Sequence, residues 1–281
     1  MTEVLPIGCL LSTDGDGYFT DLCSTGLIVS PWLEVVEEIN DAYRSHLGKD
    51  LHSAYVRGSV ARGTAIAGIS DIDTFAVIST SRWKIDLSWV PDFRRRLDEK
   101  YPFQTGVELQ FVTCQEVCDP GNSTSIGFVV KHLSVCTFGV DLAGQFARYK
   151  PGRYLVEGIH SIEASIKQFR VASSRPLDKD QVKKLCQWLM KKIVRTGFLL
   201  VAEREKSFTR DLYPSYVAFQ THYPQQARFM RTALEWSIDP MDNIEELTKF
   251  VDGFGAWIVA AVLEAYPTQN GVKASAGASV D

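Results

Sequence analysis

The sequence predicts an N-terminal α/β domain followed by an α-helical domain. Three observations predict this. β-rich runs alternate with helix-period segments as far as residue 150, the texture changes at Lys150-Pro151-Gly152, and from Tyr154 to Tyr266 the chain is nearly all helical in spacing. The expected division is 1–150 for the α/β domain, with 1–30 an irregular arm, 151–267 for the helical domain, and 268–281 for a loose tail of small polar residues.

In the first domain, PWLEVVEEINDAYRSHL (31–47) opens on Pro31 and repeats apolar residues at Leu33, Val36, Ile39, Ala42, Tyr43 and Leu47, with Gly48 as the stop. SAYVR (53–57) reads as a short strand ending at Gly58-Ser59, and a turn or short helix continues through Gly63 to Ser70. IDTFAVIS (72–79) is a second strand. FRRRLDEKY is a polar helix after Pro91, and GVELQFVT (106–113) alternates as a third strand. STSIGFVVKHLSV fits helix or strand equally. CTFGVDL is a short strand that closes the domain.

In the second domain the longest helix spans 178–203. Val182, Leu185, Leu189, Ile193, Leu200 and Val201 mark one face and Asp178 is placed to cap it. Further helical segments are 208–223, 225–238 and 243–266, separated by Pro224 and Asp239-Pro240.

Composition narrows the function. The 281 residues are 45% hydrophobic and carry 30 basic against 34 acidic side chains, for a net charge of −4. Coating of nucleic acid is disfavoured by that balance, although a local basic patch for one small anion is compatible with it. Six cysteines, at 9, 23, 114, 118, 136 and 186, form no C-x-x-C. The pair Cys114/Cys118 reads as small buried side chains in a reducing compartment rather than as a metal site. The five histidines have no partner in the local sequence and read as incidental. No secretory leader or membrane span is apparent, so the expectation is a cytoplasmic protein without membrane partners.

The chemistry concentrates in YVRGSVARGTAIAGISDIDTFAVI (55–78). Side chains two apart on a strand point the same way, so Asp71 and Asp73 project together while Ile72 faces the core. Adjacent carboxylates repel, and a divalent cation compensates them; hard oxygen ligands suit Mg²⁺. Gly58 and Ser59 make a turn that lets backbone N–H groups and a hydroxyl approach a phosphate. Arg62 lies in the same turn, and Ser70 immediately precedes the paired acids. Glu108, a charge in an otherwise apolar strand, wants a partner, and joins the same site if its strand neighbours that of Asp71 and Asp73. In the helical domain Lys184, Trp188, Lys191 and Arg195 form one stripe at i, i+4, i+7 and i+11. It reads either as a basic wall over nucleotide phosphates or as a solvated face. FTRDLYPSY (208–216) reads as a polar–aromatic pocket lining or as an ordinary helix entry.

G-S-x11-D-x-D between two strands, with a later strand carboxylate, resembles the nucleotidyltransferase superfamily of DNA polymerase beta type, and within it small bacterial enzymes with a helical C-terminal domain such as the aminoglycoside adenylyltransferases. The resemblance covers residues 52–113. It implies a minimal nucleotidyltransferase domain with a mixed β-sheet, followed by an α-helical bundle. It further implies one or two Mg²⁺ ions on Asp71, Asp73 and Glu108, with Glu108 a metal ligand or general base. A nucleoside triphosphate, ATP as the expected one, would be gripped by Gly58, Ser59, Arg62 and Ser70, with Lys191 and Arg195 added from the stripe. The implied activity moves a nucleoside monophosphate onto a hydroxyl of an acceptor, for instance an aminoglycoside. The rival readings are AMP transfer to a protein, nucleotide addition to an RNA end, and a non-catalytic nucleotide-binding regulator or toxin–antitoxin partner.

Overall fold

A computed structural model describes residues 4–119 and 125–267; the expected tail at 268–281 lies outside them. The chain divides into two compact units, Leu11–Lys150 and a helical unit made of Pro151 onward together with the residues up to Leu10.

The first unit is built on a four-stranded mixed sheet in the order β3-β2-β1-β4, with β1 at Leu51–Arg57, β2 at Ile72–Ile78, β3 at Val107–Thr113 and β4 at Ser134–Gly139. β1 runs antiparallel to both β2 and β4, whereas β2 and β3 are parallel. A parallel pair cannot be closed by a hairpin. The connection here carries a helix (Val90–Lys100). The elements before, between and after the strands are α1 (Trp32–Leu47), α2 (Gly58–Ala61), α3 (Val90–Lys100), α4 (Cys114–Cys118) and α5 (Ser125–Phe128). A π-helical turn over Val129–Leu133 follows α5 and feeds β4, so the segment that fitted helix or strand equally is helix first and strand second. Thr113 and Glu116 cap the start of α4 reciprocally.

Strand alternation sorts the core onto two faces. Ala54, Val56, Ile72, Ala76, Ile78, Val107, Leu109 and Phe111 pack under α1 and α3, against Val35, Val36, Ile39, Tyr43, Phe93 and Leu97. Tyr55, Phe75 and Val77 face the other way and pack with Val117, Val130 and Leu142. The buried Tyr43 hydroxyl hydrogen-bonds the Thr74 hydroxyl at 2.8 Å, and Thr74 donates to the Glu108 carbonyl oxygen at 2.9 Å. This pins α1, β2 and β3 at the end of the sheet where β2 begins.

The helical unit contains α6 (Ser161–Ser173), α7 (Lys179–Leu199), α8 (Ala202–Glu205), α9 (Leu212–His222), α10 (Ala227–Ile238), α11 (Ile244–Phe250) and α12 (Ala256–Ala265). Asp178 caps α7 by accepting from the Gln181 amide at 2.8 Å, and Gln181 returns a bond to the Asp178 amide. Of the predicted face, Val182, Leu189 and Ile193 are buried in the core beside Phe169, Phe219, Met230 and Leu234, Leu185 packs against it partly buried, and Leu200 and Val201 are buried just beyond the end of α7. A π-helical turn at Val251–Gly255 joins α11 to α12, and it buries Val251 and Phe254. No helix among the described residues is long and apolar enough to cross a membrane.

Candidate functional site

β1 delivers its last residue, Arg57, opposite Asp73, and β2 sets Asp73 opposite Glu108 on β3. Three charged side chains therefore form a row across three adjacent strands. The Arg57 guanidinium donates to Glu108 at 2.8 Å and stands 3.6 Å from the Asp73 carboxylate. Gln110, two residues on and hence on the same face of β3, donates to the other Glu108 oxygen at 2.6 Å. The row grades from inside to outside: the side chains of Arg57, Asp73 and Glu108 are 19%, 27% and 42% exposed.

The backbone turn after β1 fits closely around Asp73. Gly58 has φ +76°, a conformation that disfavours any side chain, and a Cβ placed on it would lie 2.8 Å from Asp73 Oδ2. The peptide of Gly58 thus passes directly over the carboxylate. Ser59 follows within the single helical turn of α2, and Arg62 ends that turn half-buried. Thr64 folds back on the turn with an amide bond to the Ser59 carbonyl at 2.9 Å.

Ser70 is engaged within its own loop. Its hydroxyl oxygen accepts from the Ile66 amide at 2.9 Å, its amide donates to the Ile66 carbonyl at 2.9 Å, and its carbonyl accepts from Thr105 at 3.1 Å. Its first task here is to shape the approach to Asp71, and one hydroxyl proton remains to donate elsewhere. Asp71 is exposed at the mouth of β2, near enough for its charge to act on Asp73.

The electrostatics follow from this layout. Burial, and then the side-chain hydrogen bond with Glu108, push the Asp73 carboxyl up from 3.8 to about 7, against the pull of Arg57. Glu108 moves the other way: the bond from Asp73, together with Arg57 and Gln110, holds it below the usual carboxylate range despite partial burial. The two carboxyl groups titrate as a pair, which keeps one proton between them into the neutral range.

Among the described residues, no three His, Cys, Asp or Glu side chains are grouped as a metal-holding set. Asp73 and Glu108 are brought together with Arg57 in the same row, and Asp71 is exposed just before β2. The donors nevertheless fit a divalent cation. They are carboxylate oxygens, the hard donors that such an ion takes, and Mg²⁺ needs only one or two of them beside substrate phosphates.

Sequence reasoning missed Arg57. Its signal was an arginine closing a buried run, Ala54-Tyr55-Val56, immediately before the glycine turn. It also missed that two histidines have distant carboxylate partners: His132, 1% exposed, bonds Asp21 at 2.6 Å, and His222 bonds Glu205 at 2.5 Å. Burial among Phe19, Phe128 and Tyr149 lowers the His132 pKa and favours the neutral ring.

The remaining candidates belong to the helical unit. Lys184 and Trp188 line a groove of about 370 Å³ along α7, together with Gln168 and Ala172 of α6. Lys191 and Arg195 are half-buried, and Arg195 Nε donates to the Arg210 carbonyl at 3.1 Å, tying α7 to the segment before α9. In FTRDLYPSY, Asp211 accepts from the Cys9 amide at 3.0 Å and Thr209 donates to the Cys9 carbonyl at 2.7 Å. This stretch anchors the start of the chain within its own unit.

The chain thus has a mixed four-stranded sheet with a glycine-serine turn leaving one strand and an acid pair at the start of the next, followed in sequence by a helical unit. Solved structures similar to this chain include spectinomycin adenyltransferase AAD(9) from Enterococcus faecialis with ATP and spectinomycin; it is 12% identical with a TM-score of 0.46, and the match covers 79% of this chain and 98% of that one. No protein-family model and no curated protein matches the chain.

Proposed function

We propose that the protein is a nucleotidyltransferase that moves a nucleoside monophosphate, AMP from ATP, onto a hydroxyl of a small acceptor. The observation that carries this reading is the convergence of Asp73 and Glu108 on adjacent strands, beneath a glycine turn that leaves no room for a side chain.

Asp71, Asp73 and Glu108 would hold Mg²⁺, which when bound neutralises polyphosphate charge and favours displacement at phosphorus. The protein's own groups do the rest. Gly58 lets the main chain approach the triphosphate, and Ser59 and Arg62 offer a hydroxyl and a guanidinium to its oxygens. Ser70 braces the loop that presents Asp71. The acceptor hydroxyl oxygen attacks the α-phosphorus, the bond to the pyrophosphate oxygen breaks, and the hydroxyl proton passes to Glu108. An aminoglycoside is the acceptor class suggested by the sequence resemblance.

The test is incubation of the protein with ATP, Mg²⁺ and mixtures of aminoglycosides and other polyols, followed by mass spectrometry. The expected result is one component heavier by an AMP group, with pyrophosphate released in equal amount. ATP consumption that yields only ADP and phosphate would replace this reading with a hydrolase.

A further inference from the structure

Arg57 sits on the face that Asp73 and Glu108 share. It is a half-buried strand-end side chain, held at 2.8 Å by one carboxylate and 3.6 Å from the other. Its register is set by β1 pairing with β2, with Arg57 opposite Asp73, so the guanidinium is not a wandering surface group. A charge-assisted bond of this length to a partly buried carboxylate persists unless a stronger cation replaces it.

We infer that Arg57 is a positioning residue that acts as a built-in cation: in the nucleotide-free protein it occupies the Asp73–Glu108 face, so that the resting site accepts a single divalent ion, through Asp71 and Asp73. The inference rests on the metal-binding reading of the same site and adds what that reading leaves open, the stoichiometry at rest. Glu108 is held as an ion-pair partner of Arg57 and becomes available as metal ligand or proton acceptor once the guanidinium swings away. The incoming triphosphate, with its several negative oxygens, is the group on the proposed path able to draw it off.

The test uses Mn²⁺ as the probe, with the full-length protein and no nucleotide, counting bound ions by electron paramagnetic resonance. Wild type should bind one Mn²⁺ per chain. Arg57→Gln, which removes the charge but keeps a hydrogen-bonding head, should bind two, or bind the first at least tenfold more tightly. Arg57→Lys, which keeps the charge and is the variant to rely on if the glutamine form does not fold, should remain at one. Asp73→Asn serves as the control that binding occurs at this site. Unchanged stoichiometry and affinity in Arg57→Gln, with binding lost in Asp73→Asn, would overturn the role of Arg57 and leave the metal reading standing. Two ions on wild type would also overturn it. Absence of Mn²⁺ binding in wild type and Arg57→Gln alike would remove the metal reading and this inference with it.

Discussion

Asp73→Asn is expected to remove nucleotidyl transfer by on the order of a thousandfold, and to stabilise the metal-free protein above neutral pH. On the proposed reading, the loss follows from removing an oxygen that would hold the metal at the centre of the charged row. The gain follows from proton linkage. Asp73 has a folded pKa of about 7 against an ordinary value of 3.8. Between those values the folded protein binds more protons than the unfolded chain, so stability falls as pH rises from about 4 to about 7 and stays reduced above it. Asparagine carries no such charge. The variant should therefore match wild type near pH 4 and exceed it at pH 8 by on the order of 2 kcal/mol, since a side chain that is a quarter exposed and partnered by an arginine feels less than the full shift. Urea unfolding at both pH values in the presence of EDTA reads this directly. A variant less stable than wild type at pH 8 would show that Asp73 supports the fold rather than burdening it. A functional carboxylate that costs stability is what a site awaiting a cation requires.

Gly58→Ala is expected to lower stability by about 2 kcal/mol and activity by on the order of a hundredfold. Two effects combine. The positive φ of +76° is strained for alanine, and the new Cβ would lie 2.8 Å from Asp73 Oδ2. The carboxylate has little freedom to shift, because Arg57 stands 3.6 Å from it and Glu108 is its cross-strand neighbour. Alanine would thus disturb the turn and the acid together, although neither partner in the clash is itself deleted. Denaturant melts and steady-state kinetics measure the two parts separately. Activity equal to wild type would mean that the close approach of the main chain to Asp73 has no bearing on the reaction.

Much of the fold is legible in the sequence, for local reasons. Strand alternation at 53–57, 72–79 and 106–113 and helical spacing at 31–47 and 178–203 are short-range signals, and each element appears at its place within a few residues. Of the candidate site, the sequence carries the local parts: the glycine turn after the first strand, which the structure sets against Asp73, and the acids at the start of the second, of which Asp71 lies exposed just before it. What lay hidden depends on register and distance in space. That Arg57, Asp73 and Glu108 share a row is decided by how three strands pair, which no local pattern specifies. His132 finds Asp21 across 111 residues, and Asp211 finds the Cys9 amide across 202. STSIGFVVKHLSV (123–135) fitted both periods because its described part, from Ser125, is a helical turn and a π-helical turn running into a strand, which satisfies neither period alone.

The central claim is that the acids beside the Gly58 turn hold a metal–nucleotide complex. Equilibrium binding of a non-hydrolysable ATP analogue, with Mg²⁺ and with EDTA, to wild type and to Asp71→Asn tests it most directly, because Asp71 is exposed and its replacement leaves the packed row of Arg57, Asp73 and Glu108 in place. Wild type should bind the analogue only with Mg²⁺, and Asp71→Asn should bind it at least tenfold more weakly. Equal binding by the two proteins, or binding of wild type that is undiminished in EDTA, would contradict the account.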